Sequence, residues 1–275
     1  MENVFTIENL RPIRDGMTVS RDSKLGTSNM ATFFSMGKDT SISQESYDRM
    51  TMYIGAAGSG TFIIGNDKKK LTLTPDTAVI IPASTLCGME TSDGMVYTEV
   101  IFKKENSAIM NEIVKTNEVF ALKNLISYEE GSIANIDIVS NPTMKYVLMS
   151  FDEGTGLTPH RAPGNAIVFA LEGKAVIGYE GKDYTISEGE CFRFFAADAL
   201  VGDKDGVLDV SAVVFLTGAD IHHHDLLRGH HLIGFLGADL MIRRLACHVL
   251  RRVRFCLGQR AAAQQRKRGG KRRKK

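Results

Sequence analysis

The sequence repeats itself at a constant shift, and this repeat constrains the fold more than any other feature. SMGKDTSISQESYDRMTMYIGAAGSGTFIIG aligns with SFDEGTGLTPHRAPGNAIVFALEGKAVIGYE, so that Ser35 lies on Ser150 and Gly58 on Gly173, a shift of 115 residues. With a two-residue gap, TPDTAVIIPASTLC then aligns with SEGECFRFFAADAL. A unit of about 113 to 115 residues is too long for a solenoid repeat and has the size of a domain. The sequence therefore predicts a duplicated domain.

Both copies have the composition of β-structure. Residues 30–102 and 145–216 consist of short segments rich in Val, Ile, Phe, Tyr and Thr, separated by Gly, Asp and Asn. Turn residues between apolar strands, Gly65-Asn66-Asp67 in one copy and Glu180-Gly181-Lys182 in the other, predict a hairpin in each. We expect an all-β chain with an N-terminal barrel in 1–112 and a C-terminal barrel in 113–217, joined through a linker at about 103–130.

The remaining segment, 218–275, differs in charge from the rest. The whole chain has 34 Lys+Arg and 32 Asp+Glu. Residues 218–275 hold 15 of the basic and 3 of the acidic residues, a surplus of +12, which leaves −10 for 1–217. Around Ile242 the apolar residues fall on one side of a helical wheel and the arginines on the other. This basic segment of helical character predicts nonspecific binding of nucleic acid or of an anionic membrane, or else it is a non-native C-terminal addition.

Several features favour a cytoplasmic protein. The N-terminal residues lack a basic region followed by an apolar one, and the chain has no run of about 18 apolar residues. The four cysteines, Cys87, Cys191, Cys247 and Cys256, form no CxxC pair. A reducing compartment suits such spacing.

The pattern of the two copies resembles the cupin superfamily, and specifically the two-domain bicupins. In the second copy the first cupin motif starts at Gly154, and its two histidine positions, its glutamate and its closing glycine hold His160, Ala162, Ala166 and Gly173. The second motif starts at Gly189, with Phe195, Ala197 and Leu200 at its proline, glycine and histidine. In the first copy the corresponding positions hold Glu45, Tyr47, Thr51, Gly58, Asp76, Pro82, Ser84 and Cys87. The resemblance implies two double-stranded β-helix (jelly-roll) barrels in tandem, and cupins often form dimers, so a homodimer is expected.

The family's ligand positions also predict where a pocket lies. They point into the barrel in cupins, so we expect a ligand pocket at His160, Glu45, Tyr47, Cys87, Thr51 and Leu200. A transition-metal site needs about three or four N, O or S donors that converge on one point. Only Glu45, Cys87 and His160 are candidate metal ligands, so no cofactor is expected, with one divalent transition metal as the alternative.

These features together predict a bicupin that binds a small organic ligand, such as a sugar, and has lost most of its metal-ligand positions. One alternative is a metal-dependent cupin enzyme, of the dioxygenase or isomerase type. Another is a scaffold or interaction protein that acts through its basic segment. Phosphate-loop and nucleophile-elbow motifs are absent from the sequence.

Overall fold

Alternating apolar residues and closely spaced turns make this chain fold into short antiparallel strands. The computed structural model describes residues 3–23, 25, 31–102, 108–141, 144–158, 160–161, 165–194, 200–201 and 209–218, and of 160–161, 200–201 and 209–218 it describes the backbone. Within these residues the helical elements are α1 (Ile7–Leu10) and a 3-10 turn (Leu122–Leu125). The fold is therefore all-β, as the composition predicts.

The first barrel is built from two sheets. Among the described residues, one sheet contains β2 (Thr18–Asp22), β3 (Ala31–Met36), β5 (Met50–Gly58), β8 (Thr77–Ile81), β10 (Met95–Phe102) and β12 (Val119–Ala121). It runs in the order β12-β8-β5-β10-β3-β2. The other sheet contains β4 (Thr40–Ser46), β6 (Gly60–Ile64), β7 (Lys69–Leu73) and β9 (Leu86–Thr91), in the order β4-β9-β6-β7. The inner faces of both sheets contribute to one apolar cluster, which includes Tyr53, Phe62, Met89 and Tyr97.

The second barrel is built, among the described residues, from one large sheet and one short ladder. Its larger sheet contains β1 (Val4–Phe5), β11 (Ile109–Met110), β13 (Ile133–Asn141), β14 (Met144–Phe151), β16 (Asn165–Tyr179), β17 (Lys182–Ser187), β18 (Cys191–Phe194) and β20 (Asp209–Gly218). A two-stranded ladder joins β15 (His160–Arg161) to β19 (Leu200–Val201). Moving the bounds of β5 by 115 residues gives Asn165–Gly173, the first part of β16. Gly58 and Gly173 both have positive φ, 64° and 76°, so the two copies turn at equivalent points.

A shared apolar core joins the two barrels. Strand residues that alternate with the barrel-facing ones point to the outer face of each large sheet, and these outer faces pack together. The shared core includes Phe33, Met52 and Val100 from the first barrel and Tyr146, Leu148 and Ile167 from the second. Strands such as β10 are therefore apolar on both faces, and their sequences read as nearly continuous apolar runs.

The chain crosses between the barrels at two places. β1, at the N-terminal end of the first copy, pairs with β18 of the second barrel. β12, which follows the predicted boundary at residue 112, pairs with β8 of the first barrel. The boundary stays a prediction, and sheet pairing crosses it in both directions. The predicted linker at about 103–130 contributes strands to both barrels.

Two expectations concern other parts of the chain. No helix within the described residues has the length and apolar character needed to span a membrane. Residues 219–275 lie outside the described part, so binding of nucleic acid or an anionic membrane through 218–275 stays a prediction. The expected homodimer also stays a prediction.

Candidate functional site

The interior of the first barrel becomes more accessible along β10. Its inward-facing residues are Met95, Tyr97, Glu99 and Ile101, in that order along the strand. Met95 and Tyr97 are buried, with 1% of their surface exposed, whereas Glu99 and Ile101 are half-buried. Exposure therefore increases from the Met95 end toward Glu99 and Ile101, so the barrel interior is closest to solvent at this end. A carboxylate lies at that end.

Glu99 lies between polar residues of the neighbouring strands. In the sheet register it is opposite Tyr53 of β5 on one side and Thr32 of β3 on the other. Burial raises the pKa of the Glu99 carboxyl above its ordinary value, and a hydrogen bond from Tyr53 offsets part of this rise in pKa. Glu99 is thus an acidic group held in a poorly solvated position, which is common at functional sites.

Aromatic rings form the wall beside Glu99. Tyr97 stacks on Phe34, with ring centroids 5.1 Å apart and planes 3° apart. Tyr53 packs at 5.0 Å from Phe62 and at 6.0 Å from Tyr97. Burial, followed by the negative charge of Glu99, raises the pKa of both Tyr53 and Tyr97 well above that of a free phenol. Both hydroxyls therefore stay protonated at neutral pH and can donate hydrogen bonds.

Thr51 brings a second polar atom to this wall. It lies two residues before Tyr53 on β5, so both side chains point to the same face of the strand. The Thr51 side chain is buried, with 2% of its surface exposed. Its Oγ1 has no hydrogen-bond partner among the described residues. A buried hydroxyl without a partner is rare in native proteins, so Thr51 is a polar group that the described residues leave unsatisfied.

The rim of the pocket is formed by the β4–β5 connection. The Tyr47 hydroxyl donates a hydrogen bond to Glu45 Oε2 at 3.2 Å, and 46% of Tyr47 is exposed. The backbone N–H of Ser84 donates to the Tyr47 carbonyl at 2.6 Å, which fixes this connection to the turn after β8. Burial, and then the Glu45 hydrogen bond, raises the pKa of Tyr47. The rim therefore presents a second carboxylate and a phenol.

Cys87 lines the wall between the rim and the interior. It is opposite Glu45 in the β4–β9 register and is 7% exposed. Burial, with a smaller contribution from the charge of Glu99, raises the pKa of its thiol to about 12. The side chain is thus a neutral thiol at physiological pH, and thiols in this state are weak nucleophiles and weak metal ligands.

Comparison with known proteins supports the assignment of the fold. A cupin 2 conserved barrel domain protein from Leptotrichia buccalis aligns with 78% of this chain and 95% of its own, with a TM-score of 0.65 and 22% sequence identity. This chain has the cupin fold. A salicylate 1,2-dioxygenase from Pseudoaminobacter salicylatoxidans also aligns, with a TM-score of 0.49 and 9% identity over 68% of this chain and 66% of its own. No protein-family model and no curated protein sequence matches the chain.

The donor set of the first barrel does not fit the metal ion that the cupin fold implies. Thr51 stands where the cupin motif has its glutamate, and Cys87 is a protonated thiol. No group of three or more His, Cys, Asp or Glu side chains gathers anywhere in the described part of the chain. Glu45 and Cys87, two of the three predicted metal candidates, therefore lack a third donor among those residues.

The predicted pocket residues fall in two places. Glu45, Tyr47, Cys87 and Thr51 belong to the first barrel, where cross-strand pairing and the Tyr47–Glu45 hydrogen bond bring the first three together. His160 and Leu200 belong to the second barrel. Their backbones lie in the two-stranded ladder, where Arg161 is opposite Leu200 and His160 is opposite Val201. Their side chains lie outside the described part, so their role in a pocket stays a prediction.

Sequence reasoning missed Glu99, Tyr53 and Tyr97. None of the three lies at a metal-ligand position of the cupin motifs, so a search based on those motifs does not find them. The signal was nevertheless present in the β10 sequence MVYTEVIF, where Glu99 is the one charged residue of an otherwise apolar strand. Its two-residue spacing from Tyr97 places both on one face. An acidic residue on the interior face of a predicted barrel strand is therefore worth noting even without a motif.

Proposed function

We propose that this protein binds a small organic molecule in the pocket of the first barrel, near Glu99. The observation that carries the proposal is the position of Glu99 at the more exposed end of a mostly apolar barrel interior, beside Thr32 and Tyr53. Glu99 has no ion pair among the described residues. A half-buried carboxylate in this state destabilises the folded protein, and an apolar residue at this position would avoid that cost. Groups that reduce stability in this way are typical of binding sites.

The surroundings of Glu99 support a ligand pocket more than a simple packing role. Tyr53 and Tyr97 provide rings and protonated hydroxyls, while Thr51 adds a buried Oγ1 without a partner among the described residues. Ligand sites commonly combine apolar walls with a few polar groups that fix the orientation of the ligand. Glu45 and Tyr47 at the rim are within reach of solvent and would contact the outer part of a bound molecule.

A ligand-detected NMR screen of small organic molecules against the full chain at pH 7 tests this proposal. Glu99→Gln keeps the shape of the side chain and removes its charge. Glu90→Gln is the matched control, because Glu90 lies on β9 of the same barrel and pairs with Lys70 at 2.9 Å, with both side chains exposed. We expect hits that weaken in Glu99→Gln and persist in Glu90→Gln. If all hits bind Glu99→Gln as tightly as they bind the wild type, the site is not at this residue.

The metal-dependent alternative has its own test. Metal content is measured for the wild type and for the Glu45→Gln/Cys87→Ser double variant, so that metal bound elsewhere in the chain cancels. We expect equal content, since the two side chains lack a third donor among the described residues. Loss of about one transition-metal ion per chain in the variant would favour a metal-dependent enzyme.

We also propose that the protein is located in the cytoplasm. Cys87 and Cys191 are both buried and unpaired. Free buried thiols are stable in a reducing compartment. Fractionation of the source cells, followed by detection of the protein, tests this location.

A further inference from the structure

The internal repeat includes the two short strands that cross between the barrels. VFTIENL at 4–10 aligns with VFALKNL at 119–125, again at a shift of 115 residues. β1 pairs with β18, with Val4 opposite Phe192, as β12 pairs with β8, with Val119 opposite Val79. α1 follows β1 as the 3-10 turn follows β12. Each large sheet is therefore bordered by the same strand-and-turn unit, residues 4–10 in the N-terminal unit and 119–125 in the other.

The sheet positions beside the two units differ in polarity. Beside residues 119–125 the first copy has Thr77 and Ile80, and the equivalent positions of the second copy hold Glu190 and Arg193. Ile80 is completely buried in the shared core. A carboxylate and a guanidinium thus stand where the first copy has a hydroxyl and an apolar side chain. Since burial of charged groups is costly, this replacement needs a reason other than packing.

A cavity lies between the N-terminal unit and the start of β18, beside these charged groups. Its volume is about 360 Å³, which suits a small molecule. Its apolar wall consists of Val4, Phe5 and Leu10, and its polar lining consists of Thr6, Asn9, Glu190 and Arg193. These residues lie outside the interior of the first barrel, so the cavity is separate from the surroundings of Glu99.

Arg193 brings a cation to this cavity. The side chain is 5% exposed, and its Cζ lies over the Phe5 ring, 5.0 Å from the centroid. Burial and then the charge of Arg21 lower the pKa of Arg193, while Cys191 and Asp22 act in the opposite direction. An arginine in proteins nevertheless stays protonated. A guanidinium over a ring keeps its in-plane N–H donors, and their geometry matches a carboxylate.

Glu190 brings an anion to the same cavity. The backbone N–H of Ser187 donates to Glu190 Oε2 at 2.8 Å, so the turn before β18 orients this half-buried carboxylate. Thr6 adds a hydroxyl: its Oγ1 accepts the Asn9 N–H at 3.1 Å and can itself donate a hydrogen bond. The cavity therefore offers a cationic donor, a neutral donor and an anionic acceptor.

This combination favours a ligand that has both charges. A carboxylate alone would be attracted by Arg193 but repelled by Glu190, and for an ammonium alone the two effects are reversed. Arg21 and Asp22, which act on Arg193 from β2, have opposite charges and do not change this balance. A zwitterion meets an opposite charge at each end, and the apolar wall can pack against a short carbon side chain.

We propose that the cavity beside the N-terminal unit is a second binding site, which binds a free amino acid with an apolar side chain. The carboxylate of the amino acid lies against Arg193, its ammonium against Glu190, and its side chain against the apolar wall. The site is separate from the one proposed near Glu99, so this inference does not rest on the proposed function.

Three probes with one carbon side chain test the inference. Leucine, isocaproate, which lacks the ammonium, and isoamylamine, which lacks the carboxylate, are titrated separately into the full chain at pH 7. Binding is measured by isothermal calorimetry and saturation-transfer NMR. We expect leucine to bind at least about tenfold more tightly than either analogue, since it gains a second charged hydrogen bond. Equal affinity for leucine and one of the analogues would overturn the selection of a zwitterion.

Alanine, valine and phenylalanine are titrated in the same way, so that the outcome does not depend on one side chain. Binding of any of the four amino acids with the same preference over its own deaminated and decarboxylated analogues supports the inference. If none of the four binds with a Kd below about 10 mM, the inference is wrong.

Two variants and a control locate the site. Arg193→Ile introduces the residue of the equivalent position in the first copy, and we expect it to abolish amino-acid binding without lowering the free energy of unfolding. Glu190→Gln keeps the acceptor for Ser187, so here only the advantage of leucine over isocaproate should disappear. Lys182→Gln, which removes an exposed positive charge from β17 of the same sheet, should bind leucine as the wild type does.

The variants also separate this inference from the proposed function. Leucine should bind Glu99→Gln as tightly as it binds the wild type. If Arg193→Ile retains wild-type affinity for leucine, or if Glu99→Gln alone loses it, the amino acid binds elsewhere and the inference is wrong. Should Arg193→Ile be unfolded, Glu190→Gln decides: an unchanged preference for leucine over isocaproate in that variant would overturn the assignment.

Discussion

The buried hydroxyl of Thr51 leads to a quantitative prediction, which is that removing it stabilises the unliganded protein. Thr51→Val exchanges the hydroxyl for a methyl group of similar size in a strand, where valine is favoured. A buried polar group without a partner costs about 1–3 kcal/mol. Burying one additional methyl group contributes about 0.8 kcal/mol. Since the neighbouring side chains also adjust, we expect the free energy of unfolding to rise by about 1–2 kcal/mol.

The assay is equilibrium unfolding in urea at pH 7, with a thermal scan as a second measurement. The expected increase corresponds to a rise of about 2–8 °C in Tm for a chain of this size. Thr72→Val is the matched control: Thr72 lies on β7 of the same barrel, is exposed, and should change stability by less than about 0.5 kcal/mol. If Thr51→Val instead lowers the free energy of unfolding by about 1 kcal/mol or more, with the control unchanged, the hydroxyl already has a hydrogen-bond partner and the reasoning is refuted.

Three further predictions follow from other buried groups. Tyr146 is fully buried in the shared core, and its hydroxyl has no partner among the described residues, so Tyr146→Phe should raise the free energy of unfolding by about 1–2 kcal/mol in urea denaturation; a loss would show that the hydroxyl is bonded. The pKa of Glu99 is raised in the folded state, so its contribution to stability is full below the unfolded pKa of about 4.3 and is lost as pH rises through the folded value. The stability of Glu99→Gln relative to wild type should therefore increase from pH 4 to pH 8, since Tyr53, Tyr97 and Cys87 stay neutral there, and a flat difference would contradict this reasoning. The Cys87 thiol, with its pKa of about 12, is ionised to about one part in ten thousand at pH 8, so peptide mapping should find it alkylated by iodoacetamide far more slowly in the folded protein than after denaturation.

Local patterns made the architecture predictable from the sequence. Alternation of apolar residues, together with turn glycines such as Gly58 and Gly173, depends only on neighbouring residues, and each strand could be recognised by itself. The repeat then related one copy to the other. Pairing of β1 with β18 and of β12 with β8 was not predictable in this way, because pairing between distant segments depends on the packing of the whole chain.

The candidate site was predictable in part for a similar reason. Glu45, Tyr47, Cys87 and Thr51 came from motif positions, and the structure places all four in the first barrel. Glu99 and its tyrosines belong to no motif, and their importance depends on burial and on the surrounding charge, which only the folded structure reveals. The predicted roles of His160 and Leu200 in a pocket stay predictions, since their side chains lie outside the described part.

The exchange of short strands between the barrels has a consequence for how the chain can be divided. A cut between Phe102 and Ala108 would give an N-terminal fragment that carries β1, the strand paired with β18, and a C-terminal fragment that carries β12, the strand paired with β8. Each fragment would also expose its half of the shared core. Such fragments have reason to reassemble when mixed, as the halves of a complementation reporter do. For the same reason, deleting one barrel would remove a paired strand and half of the shared core from the other, so both barrels are expected to be retained even if only one of them binds a ligand.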